Sequence, residues 1–184
     1  MPIITQEEKT YLIDYLKDTQ AKLTDICKNT SPNQAIFQPS AEVWSIANNV
    51  EHLALVEKSL RKAVDFGLTQ TPSEEEIAAH TNSNNFVKKA IGTRGTAVKA
   101  PERVAPTLTA NIGDSLTLFL ERREENIIFV AETEADLHAH YWRHPFLGLL
   151  DAYQVFIMLA AHLERHIAQI EEIRADENFP KYNE

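Results

Sequence analysis

The sequence predicts an all-α protein, a four-helix bundle that forms a single domain over residues 1–184. Two observations support this fold class. Four long segments place apolar residues at a helical period, which indicates helices that each bury one face. Glycine is scarce, with five in 184 residues, and few stretches resemble strands. A chain of this length can bury a full hydrophobic core.

The first two predicted helices cover about residues 6–28 and 45–66. Thr5 and Glu8 form a capping box at the start of the first helix, because each side chain can bond the backbone N–H of the other residue. Gly67 is expected to end the second helix, since glycine readily adopts the conformation that terminates helices.

The other two predicted helices cover about residues 111–131 and 149–175. The last one follows the helix-breaking segment His144-Pro145-Phe146-Leu147-Gly148. A long connection, residues 69–110, joins the second and third predicted helices, and a capping box at Ser73 and Glu76 predicts a short helix within it. A connection of this length in a compact domain is often functional.

The composition excludes several classes of protein. A net charge of −9 argues against a nucleic-acid partner, because phosphate backbones select a basic protein face. The longest apolar run, residues 155–161, is too short to span a membrane. No signal-peptide core is present near Met1, so a cytoplasmic protein is expected. Cys27 is the only cysteine, which leaves no internal disulfide.

Two histidines of the last predicted helix are candidate metal ligands. His162 and His166 are four residues apart, so they lie about 40° apart on one helix face. That face also carries Val155, Leu159 and Ile170, so both imidazoles point into the bundle. Burying two unpaired imidazoles is unfavourable, and a shared metal ion would satisfy both. The alternative is a pair of core histidines with ordinary hydrogen-bond partners.

His52, in the second predicted helix, is the third candidate ligand. Its face is half apolar and half polar, which suits a wet pocket in a bundle. Three histidines from two helices leave coordination positions open, as in catalytic rather than structural metal sites. The chain has neither an H-E-x-x-H protease motif nor the paired Glu-x-x-His motifs of ferritin-like proteins.

Three further histidines, His138, His140 and His144, precede the last predicted helix. They indicate either a solvated loop, or a second and weaker metal site, or a lid over the first site.

The long connection contains a group of basic residues in an otherwise acidic chain. We call it the basic island: Lys88, Lys89, Arg94, Lys99 and Arg103. It is either a solvated loop or a surface that recognises an anionic small molecule. The candidates for contacts with a small cofactor are Asn48 and Asn49 near His52, Arg94 in the island, and Arg165 beside the histidine pair.

Two segments together resemble a known family. Trp44-Ser45-Ile46-Ala47-Asn48-Asn49-Val50-Glu51-His52-Leu53 resembles the Trp-Ser and His-Leu signature of the DinB/YfiT-like superfamily. His144-Pro145-Phe146-Leu147-Gly148, followed by His162-Leu163-Glu164-Arg165-His166-Ile167-Ala168-Gln169-Ile170, resembles its closing helix. The resemblance spans nearly the whole chain.

The resemblance implies a four-helix bundle in which His52, His162 and His166 bind a divalent metal, commonly zinc or nickel. Characterised relatives include S-transferases and isomerases that use a low-molecular-weight thiol such as bacillithiol, mycothiol or glutathione. Many other members have no known reaction.

We therefore expect a metal-dependent enzyme that transfers a low-molecular-weight thiol to an electrophile, because a coordinating metal deprotonates a thiol. A metal-dependent hydrolase is the first alternative, since the same kind of site activates water. A non-enzymatic protein that binds metal or a small ligand is the second. The expected partner is a small-molecule substrate. A homodimer is an alternative to a monomer. No residue stands out as a general acid or base.

Overall fold

The computed structural model of the protein describes residues 4–93, 99–107 and 109–181. Within these ranges four long helices form a bundle, which confirms the predicted all-α fold class: α1 (Gln6–Lys28), α3 (Ile46–Leu68), α6 (Ile112–Glu132) and α7 (Ala152–Arg174). Between them lie the short helices α2 (Pro32–Ile36), α4 (Glu74–Ala79) and α5 (Asn84–Gly92), a 3₁₀ turn (Glu102–Val104), and the strands β1 (Tyr141–His144) and β2 (Gly148–Asp151).

Side-chain caps determine where the long helices begin. Thr5 and Glu8 form the predicted capping box of α1. Ser45 and Asn48 form another at α3, so that helix begins at Ile46 rather than at Ser45. Each box satisfies two backbone groups that would otherwise lack partners at a helix start.

The core is centred on α7, which packs against α1, α3 and α5. Because neighbours surround this helix, the apolar run 155–161 is buried on every side, with no residue more than 3% exposed. A helix that is apolar all round is typical of such a central position. Within the described ranges, no helix is long and apolar enough to cross a membrane.

A buried polar network joins α1, α3 and α6. The Arg123 guanidinium is fully buried and donates hydrogen bonds to the Glu57 carboxylate, to the Leu16 carbonyl oxygen (2.9 Å) and to Thr19 Oγ1 (3.1 Å). The Asn126 side chain donates to the other Glu57 oxygen at 2.7 Å. Because an unpaired buried charge is costly, this network holds the three helices in one register.

The segment before α7 is a β-hairpin, which the sequence analysis did not predict. β1 pairs with β2 in antiparallel register, with Tyr141 opposite Asp151 and His144 opposite Gly148. Gly148 has φ +73°, a left-handed conformation that favours glycine and that closes the short turn. Because β2 occupies residues 148–151, α7 begins at Ala152 and not near Leu149 as predicted.

Gly67 does not end α3 as predicted, because the helix continues to Leu68. It is instead a point of close approach between α3 and the hairpin. A Cβ atom at this position would lie 3.1 Å from the carbonyl oxygen of Tyr141. Glycine therefore allows β1 to pack directly against the helix.

Candidate metal centre

The structure brings the three predicted ligands together. His52 lies in the middle of α3, and His162 and His166 lie one turn apart on α7. One ligand nitrogen from each of the three rings lies within 4.8 Å of the others. In the described part of the chain this is the one group of three potential ligands that is compact enough to hold a metal ion.

Asn49 orients the imidazole of His166. Nδ1 of His166 lies 2.7 Å from Oδ1 of Asn49, and the Asn49 side-chain nitrogen donates to the Ser45 carbonyl oxygen at 2.9 Å. The second bond fixes the amide with its oxygen toward the ring. Nδ1 of His166 must therefore donate its hydrogen, which leaves the lone pair of Nε2 for an ion.

A backbone carbonyl orients His52 in the same way. Its Nδ1 lies 2.6 Å from the carbonyl oxygen of Val104, the buried residue of the 3₁₀ turn in the long connection. A carbonyl only accepts, so Nδ1 donates and Nε2 keeps its lone pair. Val104 could not be predicted from the sequence, because a backbone acceptor leaves no signal in residue identity.

The spacing of the remaining nitrogens fits a metal ion. Nε2 of His162 lies 3.3 Å from Nε2 of His166. A tetrahedral ion at about 2.0–2.1 Å from each nitrogen spaces two such atoms by roughly 3.3–3.4 Å. Nδ1 of His162 is buried and has no hydrogen-bond partner within the described ranges. The donor set of three imidazoles thus fits a divalent ion such as zinc or nickel.

Two of the three histidines, His52 and His162, are held in the neutral form that binds metals. Burial lowers the pKa of His162 to about 3, and the charges of His52 and Arg165 act in the same direction. Burial also lowers the pKa of His52, partly offset by its hydrogen bond to Val104. Both rings are therefore unprotonated near neutral pH, as ligation requires.

The histidine cluster forms part of the wall of a cavity of about 1160 Å³. Trp44 covers two of the ligands, with ring centroids 4.9 Å from His52 and 6.2 Å from His166. The rest of the wall combines aromatic, cationic and acidic side chains: Trp142, Phe146, Lys99, Arg103, Arg165, Glu42, Glu172 and Asp176. A ligand here would contact both apolar and charged groups.

The predicted cofactor residues lie in different surroundings. Asn48 caps α3 and donates to the Thr107 carbonyl oxygen at 2.8 Å, and it does not line the cavity. Asn49 lines the cavity and orients His166. Arg165 lines it too, and its guanidinium donates to the Thr93 carbonyl oxygen at 2.6 Å. Arg94 lies outside the described residues. Contact between these residues and a cofactor stays a prediction.

The structure places the described residues of the basic island in different surroundings. Lys99 and Arg103 line the cavity. Lys88 instead packs on α1, with its Nζ 4.0 Å from the Tyr15 ring centroid and 3.3 Å from the Tyr11 hydroxyl oxygen. Lys89 is exposed and is not part of the cavity wall. The four basic residues of the island that the structure describes therefore do not form one anion-binding surface.

The three histidines before α7 do not form a second metal cluster within the described ranges. His138 bonds Asp151 at 2.9 Å and Glu8 at 3.3 Å, and His140 bonds the Gly67 carbonyl oxygen at 3.2 Å. Of the three, His144 alone lines the cavity.

Comparisons with known proteins identify a shared fold and a family. The structure of YfiT from Bacillus subtilis, described as a probable metal-dependent hydrolase with an unusual four-helix bundle topology, is similar with a TM-score of 0.62. The alignment covers 94% of this chain and 89% of YfiT at 19% identity, and it shows a shared fold. Comparison with curated proteins finds no match. A family model of the DinB superfamily matches residues 15–170, a span that includes all three histidines, and the chain therefore belongs to the DinB superfamily.

Proposed function

We propose that this protein binds one divalent metal ion through His52, His162 and His166 and is a metal-dependent enzyme. The observation that carries the proposal is the convergence of three imidazoles, two of them oriented by hydrogen bonds, on the wall of an open cavity. A structural zinc site normally has four protein ligands and no open position, whereas a catalytic site has three. Imidazole ligands suit zinc and nickel, so these are the proposed metals.

The first candidate reaction is transfer of a low-molecular-weight thiol to an electrophile. A divalent ion at this site would supply a Lewis acid that lowers the pKa of a thiol. The thiol would release its proton to solvent, its sulfur would bond the electrophilic carbon, and the bond from that carbon to the leaving group would break, with its electrons going to the leaving group. The cavity of about 1160 Å³ exceeds the roughly 300–1,000 Å³ typical of a site for one small ligand. A cavity of this size has room for two small reactants.

The cavity wall carries cations as well as the acidic residues named above, and the cations are the candidate contacts for an anionic thiol. Lys99 and Arg103 lie on the wall together with Arg165. Such side chains would attract the carboxylates that low-molecular-weight thiols commonly carry. Trp44 and Trp142 offer apolar surface for the electrophile.

Hydrolysis is the second candidate. The description of YfiT as a probable metal-dependent hydrolase supports it, because the two proteins share a fold. A metal site of this kind lowers the pKa of water to about 7, so water could replace the thiol as nucleophile.

The test is a reaction panel with the zinc-loaded and nickel-loaded protein. Each electrophile, including activated esters and alkyl halides, is incubated with and without glutathione, bacillithiol or mycothiol, and the products are identified by mass spectrometry. We expect a thiol adduct that forms only with metal and with thiol, and His162→Ala serves as the metal-free control. A hydrolysis product without thiol favours the second candidate. A protein that binds metal but forms neither product is a binding protein, and the enzymatic proposal is then wrong.

A further inference from the structure

The hairpin turn determines which ring nitrogen of His144 carries the hydrogen. His144 is the last residue of β1, and its Nδ1 lies 3.1 Å from the backbone nitrogens of both Phe146 and Leu147. Both backbone groups can only donate, so Nδ1 must accept and cannot carry a hydrogen. The neutral ring therefore carries its hydrogen on Nε2.

The same arrangement keeps His144 neutral. A second proton would have to enter at Nδ1, where two backbone N–H groups already point. Partial burial also lowers the pKa of His144. The side chain thus resembles an amide N–H donor more than a titrating base.

His144 lies on the wall of the metal cavity. The ring lines the same cavity as His162 and His166. Trp142 packs against it edge-on at 5.5 Å between centroids, and Phe146 lies at 6.0 Å. Among the hydrogen bonds of the described residues, none involves Nε2 of His144. An oriented donor on a cavity wall that the protein itself does not use is typical of a ligand contact.

We propose that His144 binds the substrate by donating its Nε2–H to an acceptor oxygen, a carbonyl or carboxylate of the small molecule in this cavity. The inference rests on the proposed function, because it assumes that one end of that molecule is held at the three histidines. His144 would then orient the end that does not react.

The first experiment measures the tautomer by nitrogen-15 NMR of histidine-labelled full-length protein, before and after zinc is added. We expect pyridine-type Nδ1 and pyrrole-type Nε2 signals for His144 near neutral pH. A protonated Nδ1 would overturn the inference. This readout does not depend on metal, so it stands apart from the proposed function.

The second experiment measures binding to the cobalt-loaded protein. The probes are mercaptoacetate, 3-mercaptopropionate and 4-mercaptobutyrate, each paired with the alkanethiol of the same length and followed by the sulfur-to-cobalt absorption band. We expect the wild-type protein to prefer at least one acid over its alkanethiol. Replacing the donor should weaken the binding of that acid about tenfold, the size of one lost hydrogen bond. The binding of the alkanethiols should not change.

Two variants separate binding from folding. His144→Phe removes the ring nitrogens. His144→Asn keeps an acceptor at the position of Nδ1, so it preserves the bonds to Phe146 and Leu147, but its amide does not reach as far as Nε2. We expect both variants to lose the preference. If His144→Asn retains the preference for the acid, His144 acts only in the turn. A wild-type protein without the preference also overturns the inference, whereas failure of cobalt to bind contradicts the proposed function itself.

Discussion

Asn49 and His166 are joined by a 2.7 Å hydrogen bond between Oδ1 and Nδ1, on two helices that pack against each other. The bond fixes which imidazole nitrogen faces the other histidines. Groups that hold a ligand ring in this way affect metal binding even though they do not touch the metal.

We expect Asn49→Leu to weaken zinc binding by about 10–100-fold, the usual effect of losing such a partner. A competition titration with a chromophoric chelator measures the affinity. Asn48→Ala is the matched control, because Asn48 caps the same helix but does not contact a histidine. Equal zinc affinity for the Asn49 variant and the wild type would contradict the role of Asn49.

Removal of a histidine ligand should abolish metal loading, whereas removal of a histidine outside the cluster should not. We expect His162→Ala to reduce metal content from about one ion per chain to near zero, because two remaining imidazoles bind weakly. His138→Ala should leave the metal content unchanged, since His138 bonds Asp151 and Glu8 away from the cluster. Elemental analysis of the purified proteins measures both. Similar losses from the two variants would show that the wrong cluster was chosen.

Chelation should lower the melting temperature and leave the bundle folded. A metal that binds only the folded chain stabilises it by about 2.7 kcal/mol at a hundredfold excess over its dissociation constant. The two hydrophobic clusters of the core contain none of the three histidines. Circular dichroism before and after addition of a chelator measures both effects. Complete unfolding would identify a structural metal instead.

The buried pair of Glu57 and Arg123 should be sensitive to loss of one partner. We expect Glu57→Ala to destabilise the protein by about 3–5 kcal/mol, because Arg123 would remain buried without a counter-charge. Glu171→Ala, which removes the exposed partner of Arg174, should cost no more than about 1 kcal/mol. Urea unfolding measures both. A small effect at Glu57 would mean that water reaches Arg123.

His138 should make stability depend on pH. Its hydrogen bond to Asp151 raises its pKa, and the charges of Asp151 and Glu8 add to this, while burial opposes it. A raised pKa in the folded state stabilises the protein fully below the unfolded value of about 6.5. That contribution is lost as the pH rises through the higher folded pKa.

The stability difference between wild type and His138→Gln should therefore shrink as the pH rises from about 5.5 to 8.5. Urea unfolding across this range measures it. The same substitution in an Asp151→Asn background, which keeps a helix cap but removes the charge, should show a much weaker dependence. A difference that grows with pH would show that the pKa is lowered instead.

Local sequence determined the helices and the identity of the candidate ligands. The period of the apolar residues predicts the long helices, because each of them buries one face. In α7 the run 155–161 is in addition buried all round. The spacing of His162 and His166 places both on one face for the same reason. The capping residues Thr5 and Ser45 act on neighbours three residues away, so their effect is visible in the sequence.

Only the tertiary structure decided how these parts meet. His52 contacts Val104, and Asn49 contacts His166, across 52 and 117 positions of the chain, so no local pattern reports either bond. Asn48 and Asn49 look alike in sequence, but one helix position turns the side chain by about 100°, which separates a cap from a partner of a ligand. Lys88 and Lys99 were likewise one basic group in sequence, but in the fold Lys88 packs on Tyr15 of α1 and Lys99 lines the cavity. Side-chain roles of this kind depend on packing between distant segments, and that is why they appear only in the folded chain.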